Sequence, residues 1–203
     1  MLSDLDILDL LTAEGKGRLI ITPLLSPRQI QSASIDLRLG FHFKVVRNSG
    51  VAALDPLRSR ERLILQTAKY THDVKLRAGE AFYIHPRDFA LGTTLEYVRM
   101  PVNIAASLEG RSSFGRLGVT IHSTAGFIDP GFSGRITYEI QNEGTQPIAL
   151  YPGMRVAQLC FYKLSTEAVD PYDSKYKQQL TTTSSRWYDD PELDYFRRKW
   201  PPE

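Results

Sequence analysis

The sequence has little sulfur and no long apolar segment, since Cys160 is its single cysteine. One cysteine cannot form an internal disulfide, and it cannot supply the two or more thiolates of a cysteine-rich zinc site. No apolar run approaches the roughly 18 residues that a membrane-spanning helix needs. The first residues are acidic, whereas an export signal is basic. We therefore expect a cytoplasmic protein with no membrane partner and no zinc.

The sequence also lacks an excess of charge of either sign. Its 25 Lys and Arg residues against 23 Asp and Glu residues give a net charge of +2. Such a balance provides no broad basic surface, so we expect no nucleic-acid partner. A small phosphate-bearing ligand is compatible with it, because that ligand needs only a local basic cluster. The length of 203 residues suits one compact domain with appended ends.

Short segments rich in β-branched and aromatic residues recur from Arg18 onward, about every ten positions, with turn residues between them. Clear examples are residues 35–39, 41–45, 81–84, 136–140 and 155–164. The only helix start signal is Ser3, ahead of an apolar-periodic stretch that stops near Gly15 and Gly17. The pattern predicts an antiparallel all-β sandwich, jelly roll or barrel with a short N-terminal helix.

Two segments do not follow this pattern. Residues 48–73 are the least regular internal stretch and predict a surface excursion. After Leu164 the strand pattern ends, which predicts a barrel domain over residues 1–165 and a C-terminal lid and extension over 166–203. Such a tail cannot bury enough apolar surface to fold alone, so it would dock on a partner surface or become ordered over a ligand.

A candidate phosphate site lies at residues 110–118, which read GRSSFGRLG. Arginine pairs with phosphate oxygens, hydroxyls donate hydrogen bonds without bulk, and glycine lets backbone N–H groups approach closely. The segment holds Arg111, Ser112, Ser113 and Arg116 within this pattern. The alternative is an ordinary Gly/Ser turn with two surface arginines.

A candidate acid/base residue follows. Residues 118–122 predict a strand, residues 123–134 a turn-rich hairpin, and residues 136–141 a second strand that alternates apolar and polar side chains. Glu139 lies in the middle of that strand among apolar neighbours. A carboxylate there costs free energy unless it is paired or used in general acid/base chemistry. The alternative is that the polar face of this strand is simply solvated.

Several motifs occur together in an order that resembles the dCTP deaminase branch of the dUTPase superfamily, in particular its bifunctional, dUMP-forming members. The motifs are ASIDLRLG at 33–40, GRSS at 110–113, AGFIDPGF at 125–132, TYE at 137–139, GMRVAQL at 153–159 and KYKQQ at 175–179. The resemblance spans roughly residues 2–186, and several motifs in register are more specific than any one of them.

The resemblance implies a homotrimer of distorted jelly-roll barrels of the dUTPase type, with active sites at subunit interfaces and a mobile C-terminal lid. It implies zinc-independent hydrolytic deamination of dCTP in pyrimidine deoxynucleotide metabolism. Magnesium would arrive bound to the triphosphate, as is usual for this hard cation. The resemblance also implies dTTP as a feedback inhibitor.

The resemblance assigns roles to the catalytic residues. Glu139 would act as the general acid/base that takes a proton from the water attacking C4 of cytosine. Ser112 and Arg116 would orient that water and stabilise the tetrahedral intermediate. The carbonyl of Ala125 would accept a hydrogen bond from the exocyclic amine, and His122 is interpreted as structural.

The resemblance also implies the residues that bind the substrate. Arg111, Ser113 and Arg116 would hold phosphates, the backbone near Thr137 would read the base edge, and Phe132 would pack on the deoxyribose. The full set is Arg111, Ser112, Ser113, Phe114, Gly115, Arg116, Asp129, Phe132, Thr137, Tyr138, Glu139, Gln158, Tyr172, Lys175 and Gln179.

The residues after Ala125 bear on the end product. Members that also cleave the triphosphate resemble this chain in having glycine and then an aromatic residue, here Gly126 and Phe127. Asp129 matches the dUTPase acid that activates water against the α-phosphorus. We therefore expect a bifunctional enzyme acting on dCTP and on dUTP. A deaminase that releases dUTP, a dUTPase alone and a non-catalytic nucleotide-binding trimer are the alternatives.

Two features depart from the family pattern. Gln179 is followed by Leu180 and Thr181, where the family has a basic or polar residue and a glycine. The chain also continues about fifteen residues beyond the usual end, through residues 189–203, and the resemblance assigns this extension no role.

Overall fold

The computed structural model of the protein describes residues 1–46 and 53–200, and most of its regular structure is antiparallel β-sheet. Its strands are β1 (Ile20–Thr22), β2 (Ile30–Gln31), β3 (Ser34–Val46), β4 (Thr71–Lys75), β5 (Phe82–Ile84), β6 (Phe89–Thr94), β7 (Tyr97–Arg99), β8 (Ile104–Gly110), β9 (Val119–Thr120), β10 (Phe127–Ile128), β11 (Ser133–Gly134), β12 (Thr137–Asn142), β13 (Ile148–Leu150) and β14 (Arg155–Lys163). Its α-helices are α1 (Asp4–Thr12), α2 (Arg60–Tyr70), α3 (Ser112–Gly115) and α4 (Pro191–Lys199). The predicted β class with a short N-terminal helix is confirmed.

The largest sheet has nine strands, with the order β10-β8-β14-β3-β6-β12-β9, and β2 and β4 also pair with β3. The long strand β3 lies along β14 through residues 34–38 and along β6 through residues 39–45. Because the two halves of β3 have different neighbours, the sheet curls around one apolar core. In this core the Phe43 and Phe82 rings stack with their centroids 4.4 Å apart.

Gly40 lies inside a strand and not at a turn. The sequence predicted separate strands at 35–39 and 41–45, but β3 is continuous. A Cβ at Gly40 would lie 2.9 Å from the Thr93 Oγ1 atom and 3.0 Å from the Thr93 carbonyl oxygen. Glycine is needed because β6 passes too close for a side chain. The strand register shifts at the same place, between Leu39 and Phe43.

Helix α1 begins as its sequence predicts. Ser3 Oγ accepts a hydrogen bond from the Asp6 N–H at 3.3 Å, and the Asp6 carboxylate accepts one from the Ser3 N–H at 2.9 Å. This reciprocal capping box satisfies donors that the helix itself leaves unpaired. Ile7 is fully buried and attaches α1 to the core. Of the helices in the described residues, none is long and apolar enough to cross a membrane.

One prediction about an irregular segment is wrong, and another is incomplete. Residues 123–134 do not form a hairpin, because β10 pairs with β8 whereas β11 pairs with β7. Of the predicted excursion over 48–73, residues 48–52 lie outside the described residues, and the remainder contains α2 and the start of β4. Helix α2 buries only Leu63 and Thr67, so its sequence carries no apolar stripe that would predict a helix.

The C-terminal segment packs against its own chain. Thr182 Oγ1 donates a hydrogen bond to the His42 carbonyl at 2.7 Å, which fastens the segment beside β3. Further on, the carboxylate of Asp189 lies 2.7 Å from the guanidinium of Arg60 on α2. The surface on which this segment docks is therefore α2 and the barrel of the same chain.

Candidate active site

A cavity of about 380 Å³ lies between β12, the 125–132 loop and the C-terminal segment. It brings together many of the residues that the sequence singled out. The predicted residues that line it are Ala125, Phe127, Asp129, Phe132, Thr137, Glu139, Tyr172 and Gln179. Its volume is within the range of small-molecule sites in proteins.

Glu139 lines this cavity, and backbone N–H groups of the loop before Ala125 hold its carboxylate in place. Strand β12 alternates as predicted, with Tyr138 and Ile140 buried and Glu139 half-buried between them. The Glu139 Oε2 atom accepts hydrogen bonds from the Ser123 N–H at 2.9 Å and the Thr124 N–H at 3.1 Å. Two backbone donors fix the carboxylate in place, which is the preorganisation that general acid/base chemistry needs.

Residues of the C-terminal segment close the other side of the cavity. Gln179 Nε2 donates a hydrogen bond to Thr137 Oγ1 at 2.6 Å, and the Gln179 backbone bridges to Gly134 at the end of β11. The Tyr172 ring lies 5.8 Å from the ring of Phe132, which is only 8% exposed. The segment thus forms part of the cavity wall.

The 110–116 segment contributes no residue to the lining of this cavity. Ser112 and Ser113 begin the short helix α3, and both are exposed. Arg116 follows that helix, and its guanidinium makes no hydrogen bond or ion pair with any residue that the structure describes. The cavity that Glu139 lines therefore does not include Ser112 or Arg116 of the same chain.

Phe114 and Tyr138 lie in the core and can offer a ligand only their backbone. Phe114 is 8% exposed within the core cluster. Tyr138 is fully buried, and its hydroxyl donates to the Arg38 carbonyl at 3.3 Å. Burial raises the pKa of Tyr138 well above its ordinary value. The prediction that backbone groups read the base edge is compatible with these positions.

The polar residues Gln158 and Lys175 also lie outside the cavity wall. Gln158 is half-buried on β14, opposite Asp36 on one side and Glu109 on the other. The ammonium of Lys175 is 3.2 Å from the carboxylate of Asp190, which also begins α4. An arriving triphosphate would compete with that carboxylate for the lysine.

Gly126 is tightly packed, whereas its neighbour Phe127 is 61% exposed. A Cβ at Gly126 would lie 3.1 Å from the Leu108 carbonyl oxygen and 3.2 Å from the His122 ring. The His122 Nε2 atom also lies 3.9 Å from a carboxylate oxygen of Glu109. His122 thus packs against the loop at Gly126, which is compatible with its interpretation as a structural residue.

Sequence reasoning missed part of the cavity wall. Tyr70 and Thr71 line it from the end of α2 and the start of β4, and Tyr176 lines it from the C-terminal segment. Burial raises the pKa of Tyr70. Tyr176 stands inside the KYKQQ motif and could have been found there, but no local pattern shows that the excursion reaches the site. In the described part of the chain, no three His, Cys, Asp or Glu residues are grouped to hold a metal ion.

Comparison with known proteins gives consistent results. A family model described as dCTP deaminase-like matches residues 1–164. A Methanobrevibacter smithii protein named dCTP deaminase, dUMP-forming, is 48% identical over 189 residues, which cover 91% of this chain and 93% of that protein. A Halorubrum lacusprofundi protein named dCTP deaminase is 44% identical over 198 residues, 95% of this chain and 94% of that protein.

Among solved structures, the 2'-deoxycytidine 5'-triphosphate deaminase from Agrobacterium tumefaciens is similar, with 28% identity and a TM-score of 0.58. The alignment covers 79% of this chain and 47% of that one, so the present chain spans about half the length of the solved protein. This similarity agrees with the β-barrel fold that the motifs imply.

Proposed function

The chain belongs to the dCTP deaminase-like family, and we propose that it converts dCTP and two molecules of water to dUMP, diphosphate and ammonia. Relatives from Methanobrevibacter smithii, Bifidobacterium longum and Dictyoglomus thermophilum, which are 43–48% identical, carry the name dCTP deaminase, dUMP-forming, and these names support both steps. The structural observation that carries the proposal is the Glu139 carboxylate, which two backbone amides hold on the wall of a nucleotide-sized cavity.

In the first step, Glu139 takes a proton from the water that attacks C4 of cytosine. The proton passes to N3, and a second proton transfer lets the exocyclic nitrogen leave as ammonia. Ala125 lines the same cavity, and its carbonyl would accept a hydrogen bond from the amine. General acid/base catalysis of this kind contributes about 10²–10⁴-fold to a rate.

In the second step, Asp129 activates water to attack the α-phosphorus of dUTP, and diphosphate leaves. Asp129 lines both the main cavity and an adjoining one of about 320 Å³ between the 129–130 and 170–174 stretches. Magnesium enters with the nucleotide as part of the substrate, since the triphosphate oxygens are the ligands it prefers.

The complete site forms between subunits of a homotrimer. One subunit supplies the cavity with Glu139, and a neighbour supplies the exposed segment with Ser112 and Arg116. The support is that Glu139 lines the cavity while Ser112 and Arg116 of the same chain do not, and that both of these residues are exposed. The Ser112 and Arg116 donors of the neighbour would then stabilise the tetrahedral intermediate.

The remaining parts of the proposal follow from the substrate. The segment with Tyr172 and Gln179 closes over bound nucleotide as a lid. Because dTTP shares the deoxyribose and triphosphate of dCTP, it competes for the same contacts and acts as an inhibitor. The enzyme works in the cytoplasm on deoxynucleotide precursors.

Product analysis tests this proposal. Pure protein is incubated with dCTP and Mg²⁺, ammonia is measured, and the nucleotides are separated during the reaction. We expect ammonia, dUMP and diphosphate in equal amounts. Accumulation of dUTP without diphosphate would show a deaminase alone, and the absence of ammonia would overturn the proposal.

A further inference from the structure

A buried carboxylate lies between two arginines at the edge of the 110–116 segment. The Asp36 side chain on β3 is 3% exposed. Its Oδ2 atom is 3.1 Å from the Nη1 atom of Arg155 and 3.6 Å from the Nε atom of Arg111. A charge removed from water in this way is stable only when it is paired.

Each of the two guanidinium groups has a second anchor. Arg111 Nη1 donates to the Arg155 carbonyl at 3.0 Å, and Arg155 Nη1 donates to the Arg28 carbonyl at 2.7 Å. The Nη2 atom of Arg111 and the Nε and Nη2 atoms of Arg155 have no hydrogen-bond partner among the residues that the structure describes. Both side chains are about one-third exposed, at 32% and 29%. The orientation of both guanidinium groups is therefore fixed, and each keeps N–H donors that are available to a ligand.

The position of this pair links it to the candidate phosphate segment. Arg155 begins β14, which pairs with β8 so that Ala157 lies opposite Gly110. Arg111 follows directly after β8 and precedes the exposed hydroxyls of Ser112 and Ser113. Two positive side chains and one negative one leave a local excess of positive charge beside hydroxyl donors, which is suited to an anion.

One arginine is enough to balance the negative charge of Asp36, so that charge does not explain why two arginines lie beside it. Arg155 already makes a hydrogen bond to the Asp36 carboxylate at 3.1 Å. Bringing Arg111 toward the same oxygen places two like charges near each other, which costs electrostatic free energy. A bound polyanion removes that cost, and planar guanidinium groups match phosphate oxygens.

This inference rests on the proposed function. We propose that Arg155 is a second guanidinium that binds the triphosphate of the substrate beside Arg111, and that Asp36 is the positioning residue that holds both. Arg155 contacts phosphate equally in the bound substrate and in the transition state, and it takes no part in deamination. Asp36 does not contact the nucleotide and acts only through the two arginines.

The test for Arg155 uses Arg155→Ala and Arg155→Lys in the full-length protein. Arg28→Ala is the matched control, because Arg28 is an exposed neighbour with the same charge. KM and kcat for dCTP are measured, and calorimetry gives the Kd of inorganic tripolyphosphate. We expect Arg155→Ala to raise both KM and this Kd about tenfold or more, with kcat nearly unchanged, as for a lost uniform binding contact. Arg155→Lys should give intermediate values of KM and Kd, because lysine keeps the positive charge but lacks the planar set of N–H donors of arginine.

The test for Asp36 uses Asp36→Asn alone and together with Arg155→Ala. If Asp36 acts through Arg155, the two changes in KM will not add. Additive effects, or a loss of melting temperature with KM unchanged, would show a structural role only. If Asp36→Asn does not fold, the Arg155 variants still decide the assignment of the phosphate contact.

The outcomes separate this inference from the proposed function. If the wild type deaminates dCTP while Arg155→Ala leaves KM and the tripolyphosphate Kd unchanged, the inference is wrong and the function stands. If the wild type releases no ammonia but Arg155→Ala still weakens tripolyphosphate binding, the anion site stands and the proposed function is wrong. A fall in kcat alone in Arg155→Ala would also overturn the inference.

Discussion

The two carboxylates of the cavity have different surroundings and suit different chemistry. Glu139 is tied to two backbone amides of the loop before Ala125. Asp129 faces the junction of the main cavity with the one that extends toward Asp170 and Asp173. The fixed Glu139 carboxylate suits the proposed proton transfer at the base, and the Asp129 carboxylate suits the proposed activation of a second water.

Replacing Asp129 should separate the two reactions. With Asp129→Asn we expect ammonia release to continue while dUTP accumulates, because the water that attacks the α-phosphorus loses its base. Diphosphate release should fall about 10²–10⁴-fold. The matched control is Asp170→Asn, an exposed residue of the adjoining cavity. An equal loss of both products in Asp129→Asn would contradict this division of roles.

The C-terminal extension is an element with its own attachment. The Asp189 carboxylate forms two ion pairs. Its Oδ1 atom is 2.7 Å from the guanidinium of Arg60 on α2, and its Oδ2 atom is 2.9 Å from that of Arg186. The Arg60 guanidinium also lies 5.5 Å from the centre of the Tyr188 ring. These contacts connect the segment that closes the cavity to the helix whose end lines it.

Breaking this attachment should release the extension. The chain has two tryptophans: Trp187 lies just before the extension and Trp200 lies within it, so their fluorescence reports its docking. We expect Asp189→Asn to shift the emission to longer wavelength, because one ion pair with α2 is lost. Glu192→Gln, an exposed position in the first turn of α4, is the control and should leave the spectrum unchanged. An unaltered spectrum in Asp189→Asn would show that other contacts hold the extension.

The same attachment should depend on pH. The hydrogen bond from Arg60 lowers the pKa of Asp189 below its ordinary value of 3.8. A lowered pKa in the folded state means that the contact stabilises fully above pH 3.8 and is lost as pH falls through the lowered value. The tryptophan emission should therefore be constant near neutral pH and shift only below about pH 4. A transition between pH 5 and 7 would point to a different group.

The strands were predictable from sequence wherever one face is buried and the other is not. The alternation around Glu139 gave the position of β12 correctly, because Tyr138 and Ile140 face the core. Gly40 misled the prediction, since a glycine required by a close neighbouring strand looks like a turn residue. The sequence did not predict helices α2 and α4, because these helices bury few or no side chains. Their N-caps are Ser59 and Asp190.

The candidate site was only partly predictable for a related reason. Motifs along the chain identified Glu139, Asp129 and Phe132, which the fold does bring to one cavity. The contribution of Tyr70 depends on how the excursion packs, and no short sequence pattern encodes that contact. The pairing of Asp36 with two arginines likewise joins strands that are distant in sequence.

At the scale of the whole molecule, the separation of Glu139 from Arg116 predicts complementation between inactive variants. Glu139→Gln and Arg116→Ala should each lose deamination, while mixed trimers contain sites that have both native residues. Random assortment gives about a quarter of the sites restored. The two proteins are unfolded together, refolded and assayed for ammonia. No recovery in mixed trimers would place both residues in one subunit.

The central claim is that Glu139 performs deamination, and Glu139→Gln tests it most directly. Glutamine keeps an oxygen that can accept the Ser123 and Thr124 amides but cannot take a proton. The account predicts that ammonia release from dCTP falls at least about 10²-fold, while the Kd for dCTP and the melting temperature stay near those of the wild type. Glu143→Gln, an exposed residue after β12, should retain full activity. Normal ammonia release by folded Glu139→Gln would contradict the account.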